Sequence, residues 1–210
     1  MTRVIAFVDG FNRYHGLSSL LETSPFSLAH NKVDLWKLIE SHLLHDQETL
    51  VGVRWYSAIP PLNWRDPEQA ATVARHAWYR EQLDRTGVLT RVSGFRKSTK
   101  TCKHCGKKFK TTEEKESDTR FALEILEDAL YGRMDRALLV TSDSDFVPAL
   151  YSLNRYANTR PVDAVVCPPI KRESAGKEIQ NCCRTLFNTK IRYMRDKQIQ
   201  ESLFVLPDSY

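Results

Sequence analysis

Asp143 and Asp145 stand one residue apart in "RALLVTSDSDFVPAL" (Arg136–Leu150), where an apolar run breaks off. Asp9 ends an earlier apolar run, "VIAFVDG" (Val4–Gly10), and Asp118 opens a periodic segment after "EKES". Each aspartate has an ordinary use by itself. Asp145 could cap a helix with Pro148 in its first turn, Asp9 could make a turn with Gly10, and Asp118 could complement a helix N-terminus. Brought together, the four would repel one another, and a divalent cation would relieve the repulsion. Ligand sets made only of oxygen select Mg²⁺ or Mn²⁺. Such an ion activates water and neutralises charge on a phosphodiester.

A second group is Cys102-x-x-Cys105-Gly106, inside "FRKSTKTCKHCGKKFKTTEEK". The spacing is that of a zinc knuckle. No second CxxC follows, and His104 lies between the two thiols, where it is poorly placed to bind the same ion. Cys182 and Cys183 could supply ligands if the tail folds back, or a partner chain could complete the site; a homodimer is among the partners considered. Plain reduced thiols fit equally well, whereas thioredoxin-type redox chemistry wants a helix opening at the motif. The chain has five cysteines, an odd number, which argues against a disulfide framework.

Around these cysteines the charge is one-sided. Arg91–Thr112 holds eight Lys or Arg and no acid, in a chain of formal net charge +5. A local basic patch points to a polyanion partner. Lys97, Lys100, Lys103, Lys107, Lys108 and Lys110 could neutralise phosphates, while Phe95 and Phe109 could stack on bases. The alternative is a solvated loop whose phenylalanines belong to the core.

The elements that must position these groups follow from periodicity. Strands are expected at Val4–Gly10, Val51–Ile59 (stopped by Pro60-Pro61), Val88–Phe95, Ala137–Asp143 and Val162–Pro169. Helices are expected at Val33–Leu44, Asp66–Arg85, Asp118–Tyr131 and Asp145–Tyr156, with a helix, a short strand and a last helix after Glu173. Alternating strands and helices give a mainly parallel sheet, and ligands bind beyond the carboxyl ends of its strands. Asp9, Asp143 and Asp145 would then share one rim. Asp118, in phase with Ala122, Ile125 and Ala129, would point toward it from a buried stripe.

Three blocks now carry a resemblance: "FVDGFNRYHGL" (Phe7–Leu17), "EKESDTRFALEIL" (Glu114–Leu126) and "LLVTSDSDFVPAL" (Leu138–Leu150). In order and spacing they resemble the signature blocks of the NYN domain, a ribonuclease group of the PIN-like superfamily, over roughly 3–169. Glu116 stands where that family has glycine, and Phe11 where it often has tyrosine. The resemblance implies an α/β fold, a Rossmann-like three-layer α/β/α sandwich with a mainly parallel central sheet. It implies a metal-dependent site at Asp9, Asp118, Asp143 and Asp145. Asn12 would orient ligand or an acidic partner, and Thr141 and Ser142 would contact phosphate or position Asp143. Residues 1–170 would form the nuclease domain, with the basic CxxC insertion at about 96–112 and an extension at 171–210 packing on the same domain.

The function expected from these features is metal-dependent endonucleolytic cleavage of single-stranded RNA, with RNA preferred to DNA only through the resemblance. Two alternatives stand beside it: an RNA-binding module that does not cut, and a small-molecule or nucleotide-processing enzyme on the same fold. No GxGxxG or GxxxxGK[ST] pattern supports a dinucleotide or P-loop site. His15, His30, His42, His45 and His76 form no ligand spacing. No apolar run is long enough to span a bilayer, and the N-terminus lacks a cleavable leader, so the expected address is cytoplasmic, with no membrane partner.

Overall fold

The computed structural model describes residues 1–13, 32–59, 66–156, 161–169 and 176–205, with 112–114 described by backbone alone. The first strand, β1 (Thr2–Asp9), explains why its sequence is apolar without alternation. Val4, Ala6 and Val8 enter one core and Ile5 and Phe7 the other. A strand covered on both faces must be apolar throughout. Each large apolar side chain so buried contributes about 1.5–3 kcal/mol.

After β1 come α1 (Leu35–Leu38, continuing as a π-helical stretch over Ile39–Leu43), β2 (Glu48–Ala58), α2 (Pro67–Arg85) and β3 (Leu89–Ser93). Asp34 caps α1 by accepting from Lys37 N at 3.0 Å. Asp66 caps α2, with Pro67 in the first turn. Next are β4 (Phe95–Thr101), β5 (Lys108–Glu114), α3 (Ser117–Leu130) and β6 (Arg136–Val140). A 3₁₀ turn over Ser144–Phe146 then leads into α4 (Val147–Tyr156). The chain continues through β7 (Asp163–Val166), α5 (Lys177–Thr185), β8 (Thr189–Ile191) and α6 (Asp196–Glu201).

Six strands form one sheet in the order β3-β2-β1-β6-β7-β8. All five of its pairings are parallel. The chain winds outward from β1 to β3, then returns to the other side of β1 at β6. That reversal opens a crevice beyond the carboxyl ends of β1 and β6. Leu35, Tyr79, Leu83 and Ile199 close one face of the sheet, and Phe121, Ile125, Leu150 and Ile179 close the other. The result is the expected three-layer α/β/α sandwich. The stretch after 176 contributes to both layers, since Ile179 and Leu186 join one core and Met194 and Ile199 the other.

The basic insertion is a β-hairpin rather than a loop. β4 and β5 pair antiparallel from Phe95↔Glu114 to Thr101↔Lys108 and form a separate two-stranded sheet. The stop at Pro60-Pro61, the 170/171 division, and His15 and His30 lie outside the described residues. No described helix is long and apolar enough to cross a membrane.

Candidate functional site

The acids meet at the reversal between β1 and β6. Asp9 is the last residue of β1 and is 7 % exposed. The chain turns away at Gly10, where a Cβ would fall 2.4 Å from Trp55 Nε1 and 2.7 Å from Tyr56 O. Only glycine lets the backbone lie this close to β2. The next helical turn brings Asn12 N within 2.9 Å of Asp9 Oδ1, to which it donates.

Beyond β6, hydroxyls and an amide tie the two strand ends together. Thr141 Oγ1 donates to Asp9 Oδ2 (3.1 Å) and accepts from Asp143 N (3.1 Å). Ser142 N and Ser142 Oγ both donate to Asn12 Oδ1, each at 3.0 Å. Asp143 Oδ1 accepts from Asp145 N at 2.9 Å, so Asp143 rather than Asp145 caps the following turn. Thr141 thus links Asp9 to the Asp143 backbone. Asn12 acts first on the protein itself, locking the loop after β6 to the loop after β1.

Asp118 comes from the far side of the crevice. Its helix is held by Phe121, whose ring lies 4.2 Å from Phe146, 4.8 Å from Tyr56 and 6.0 Å from Phe7, centroid to centroid. The buried stripe of α3 begins at Ser117 and Phe121, not at Asp118, which is exposed. Ile125 and Ala129 are buried as expected, whereas Asp118 and Ala122 stand at the edge of the stripe.

The carboxylates feel one another. Burial pushes the Asp9 carboxyl up from 3.8 to about 7, against the hydrogen bonds from Asn12 and Thr141 and with help from the charges of Asp118 and Asp143. Asp118 is also raised, by partial burial first and then by Asp143 and Asp145. Among the described residues no three His, Cys, Asp or Glu side chains close into a finished ligand set. The rim is an open set of carboxylate oxygens with one buried member that favours its neutral form. A hard divalent cation suits such donors and would return Asp9 to its ionised state.

The sequence reading did not single out the ion network that anchors α3. Arg54 on β2 donates to Glu124 Oε2 and Asp128 Oδ1, both at 2.7 Å, and Arg91 Nε donates to Glu124 Oε1 at 2.8 Å. Tyr56 OH adds a bond to Glu124 at 2.9 Å, and Arg133 one to Asp128 at 2.9 Å. Asp128 is fully buried. Breaking such a network costs about 3–5 kcal/mol. Its signal was available: Ser117, Phe121, Glu124 and Asp128 repeat at helical spacing, so two acids fall on the buried face.

The hairpin leaves the carboxyl end of β3 and re-enters at the N-terminus of α3, so it rises from the same edge as Asp118. Its pairing sorts the cations. Lys97, Thr99, Lys108 and Lys110 share one face, and Arg96, Lys100 and Phe109 the other. Lys103 and Lys107 lie in the connecting turn. All six lysines are exposed, as is Phe109, whereas Phe95 is half-buried. Glu116, at the junction with α3, has φ of +79°. A side chain is strained there and glycine is not. Beside the junction is an open cavity of about 550 Å³ lined by Arg96, Lys115, Arg120 and three glutamates.

Comparison with known proteins gives this arrangement a family. The model of the NYN domain matches residues 3–188. The chain belongs to the NYN family. The NYN match runs past β7 through α5, consistent with the place of that helix in the core. A crystal structure of a protein of unknown function from Vibrio parahaemolyticus has the same fold, with a TM-score of 0.56 and 16% identity, over 93% of this chain and 94% of that one. A 6-hydroxy-3-succinoylpyridine 3-monooxygenase from Pseudomonas putida is 34% identical over 67 residues. That match covers 32% of this chain and 21% of the other protein.

Proposed function

We propose that this NYN protein is a metal-dependent endoribonuclease that hydrolyses phosphodiester bonds of single-stranded RNA. The observation that supports the reading is Asp9 buried at the sheet reversal within reach of the charges of Asp118 and Asp143, with Asp143 and Asp145 acting in turn on Asp118. Asp9, Asp118 and Asp143 would hold Mg²⁺ or Mn²⁺, and Asp145 would join directly or through water. When bound, the ion lowers the pKa of an attacking water and offsets charge on the phosphate. The protein's own residues do the positioning. Thr141 fixes the Asp9 carboxylate relative to the Asp143 backbone, and Asn12 keeps the two strand-end loops in register.

The hairpin lysines supply the grip. Lys97, Lys108 and Lys110 form one row along a strand pair and would contact successive backbone phosphates. Phe109, exposed on the opposite face beside Lys100, would stack on a base if RNA wraps that side. Family membership supports RNA as the polymer. Cleavage of end-labelled single-stranded RNA with Mn²⁺ or Mg²⁺, against EDTA and Asp143→Asn controls, tests the reading. Binding without cleavage would favour a non-cutting RNA module.

A second reading, oxidation of a small molecule on the same fold, is favoured by the partial likeness to a monooxygenase. It predicts no metal-dependent RNA cleavage and no role for the hairpin lysines in substrate affinity.

A further inference from the structure

The tip of the hairpin carries chemistry that the acid rim does not use. Thr101↔Lys108 is the last strand pair, and Cys102 to Lys107 make the turn. Cys102 N donates to Lys107 O and Gly106 N donates to Cys102 O, both at 2.9 Å. Gly106 takes φ of +68°, a left-handed conformation that closes the turn behind Cys105. The backbone amides of Cys105 and His104, with the Cys105 side chain, hold the Cys102 thiol below its usual range. A lowered thiol reaches the thiolate more readily, and the thiolate is the form that binds metal. From Thr99 to Lys110 every residue except Cys102 is exposed, and Cys102 is half-buried. The turn thus presents both cysteines at an exposed tip.

Two thiolates satisfy half of a tetrahedral ion. Among the described residues the chain offers no other half. Cys167 and Cys182 are 0% and 1% exposed within the two cores. Burial raises their thiols, Cys167 to about 12, and also raises Cys183 on the same helix as Cys182, to about 11. The earlier expectation that the tail could fold back with Cys182 and Cys183 is therefore not met: that helix packs against the sheet. Among the described histidines, His42 faces Glu201 and His76 faces Ser57, both in the body.

We propose that Cys102 and Cys105 are half of a tetrathiolate zinc site completed by the same two cysteines of a second copy, joining two hairpins tip to tip. A twofold axis through the ion makes the contact self-complementary, as closed dimers require. Charge selects this occupant. Each tip carries Lys100, Lys103, Lys107 and Lys108, so two bare tips repel. A zinc ion with four thiolates has a net charge of −2 and offsets that repulsion when placed between them. The separate two-stranded sheet lets the tips meet away from the two bodies. The dimer would set two basic hairpins side by side and raise the effective concentration of one for a polyanion held by the other.

The test uses the full chain, reduced and stripped of metal with EDTA. Co²⁺ is added while thiolate-to-cobalt absorption is followed, because this band counts only sulfur-bound ion and ignores any at the carboxylates. Zn²⁺ is added in parallel with molar mass measured by analytical ultracentrifugation. The expected result is saturation at one sulfur-bound ion per two chains, doubling of mass in the same step, and reversal by EDTA. Cys102→Ser and Cys105→Ser should each lose the band and the doubling with an unchanged melting temperature. Saturation at one ion per chain with unchanged mass would overturn the proposal by showing completion within one chain. Absence of the band in the wild-type protein would overturn it as well. Neither readout depends on RNA cleavage.

Discussion

The acid rim and the basic hairpin rise from one edge of the sheet and are built in opposite ways. At the rim hydrogen bonds join the two strand ends, Thr141 to Asp9 and Ser142 to Asn12, and Asp143 caps its own turn by accepting from Asp145 N. Its geometry is set by strands buried on both faces. The hairpin has its own two-stranded sheet, and its lysines reach solvent along both of its faces. Preorganisation suits chemistry, where an ångström matters. Exposed, adaptable cations suit a polymer whose charge is regular and whose sequence varies. In this NYN protein, changes at the rim should therefore cost rate, and changes on the hairpin should cost affinity.

The sharpest break comes from the rim. Asp9→Asn should reduce RNA cleavage on the order of 100-fold or more while RNA binding, followed by fluorescence anisotropy, stays within a few-fold. Thr141→Val keeps every carboxylate but leaves Asp143 N without its partner. It should cost about 1–3 kcal/mol in urea unfolding and lower single-turnover cleavage about tenfold. An unchanged rate in that variant would mean that the hydroxyl bridge does not position the site.

The hairpin should answer differently. Replacing Lys97, Lys108 and Lys110 together by Ala should leave stability within about 0.5 kcal/mol. The slope of log affinity against log salt should fall by about 2, the value for three lost contacts to single-stranded phosphates. If cleavage at saturating RNA falls as far as in Asp9→Asn, the division between rim and hairpin is wrong.

Two smaller effects separate the body from the junction. Glu48 accepts from Arg192 at 3.1 and 3.2 Å and from Arg136. Burial alone would raise its carboxyl, but Arg192, His45 N and Arg136 bring it down to about 2 from an ordinary 4.5. A carboxyl depressed by folding contributes stability above 4.5 that is lost as pH falls toward 2. Glu48→Gln should flatten that decline in acid unfolding curves. At the junction, Glu116→Gly relieves the positive φ and should raise stability by about 1 kcal/mol, read by thermal melts.

Much of this was legible in the chain. Runs such as "VIAFVDG" and "ALLVTSD" read as buried strands, and their spacing with helices gave the sheet and its rim. That Asp118 would stand beside the stripe was not legible, because the polar residues Ser117, Glu124 and Asp128 share the buried face with Phe121, Ile125 and Ala129. The hairpin was missed as structure because Lys and Thr alternate there without an apolar face, and pairing alone holds the strands together. The Arg54–Glu124–Asp128 network was missed because its partners are 70 and 74 residues apart in sequence.

The most direct measurement is single-turnover cleavage of an end-labelled single-stranded RNA by the wild-type protein and Asp143→Asn, with Mn²⁺ or Mg²⁺ and with EDTA. The account predicts internal cuts that need the ion and vanish in the variant, while both proteins retain the RNA. Cuts that persist in Asp143→Asn or in EDTA would contradict it, as would RNA that the wild-type protein binds and leaves whole with either ion.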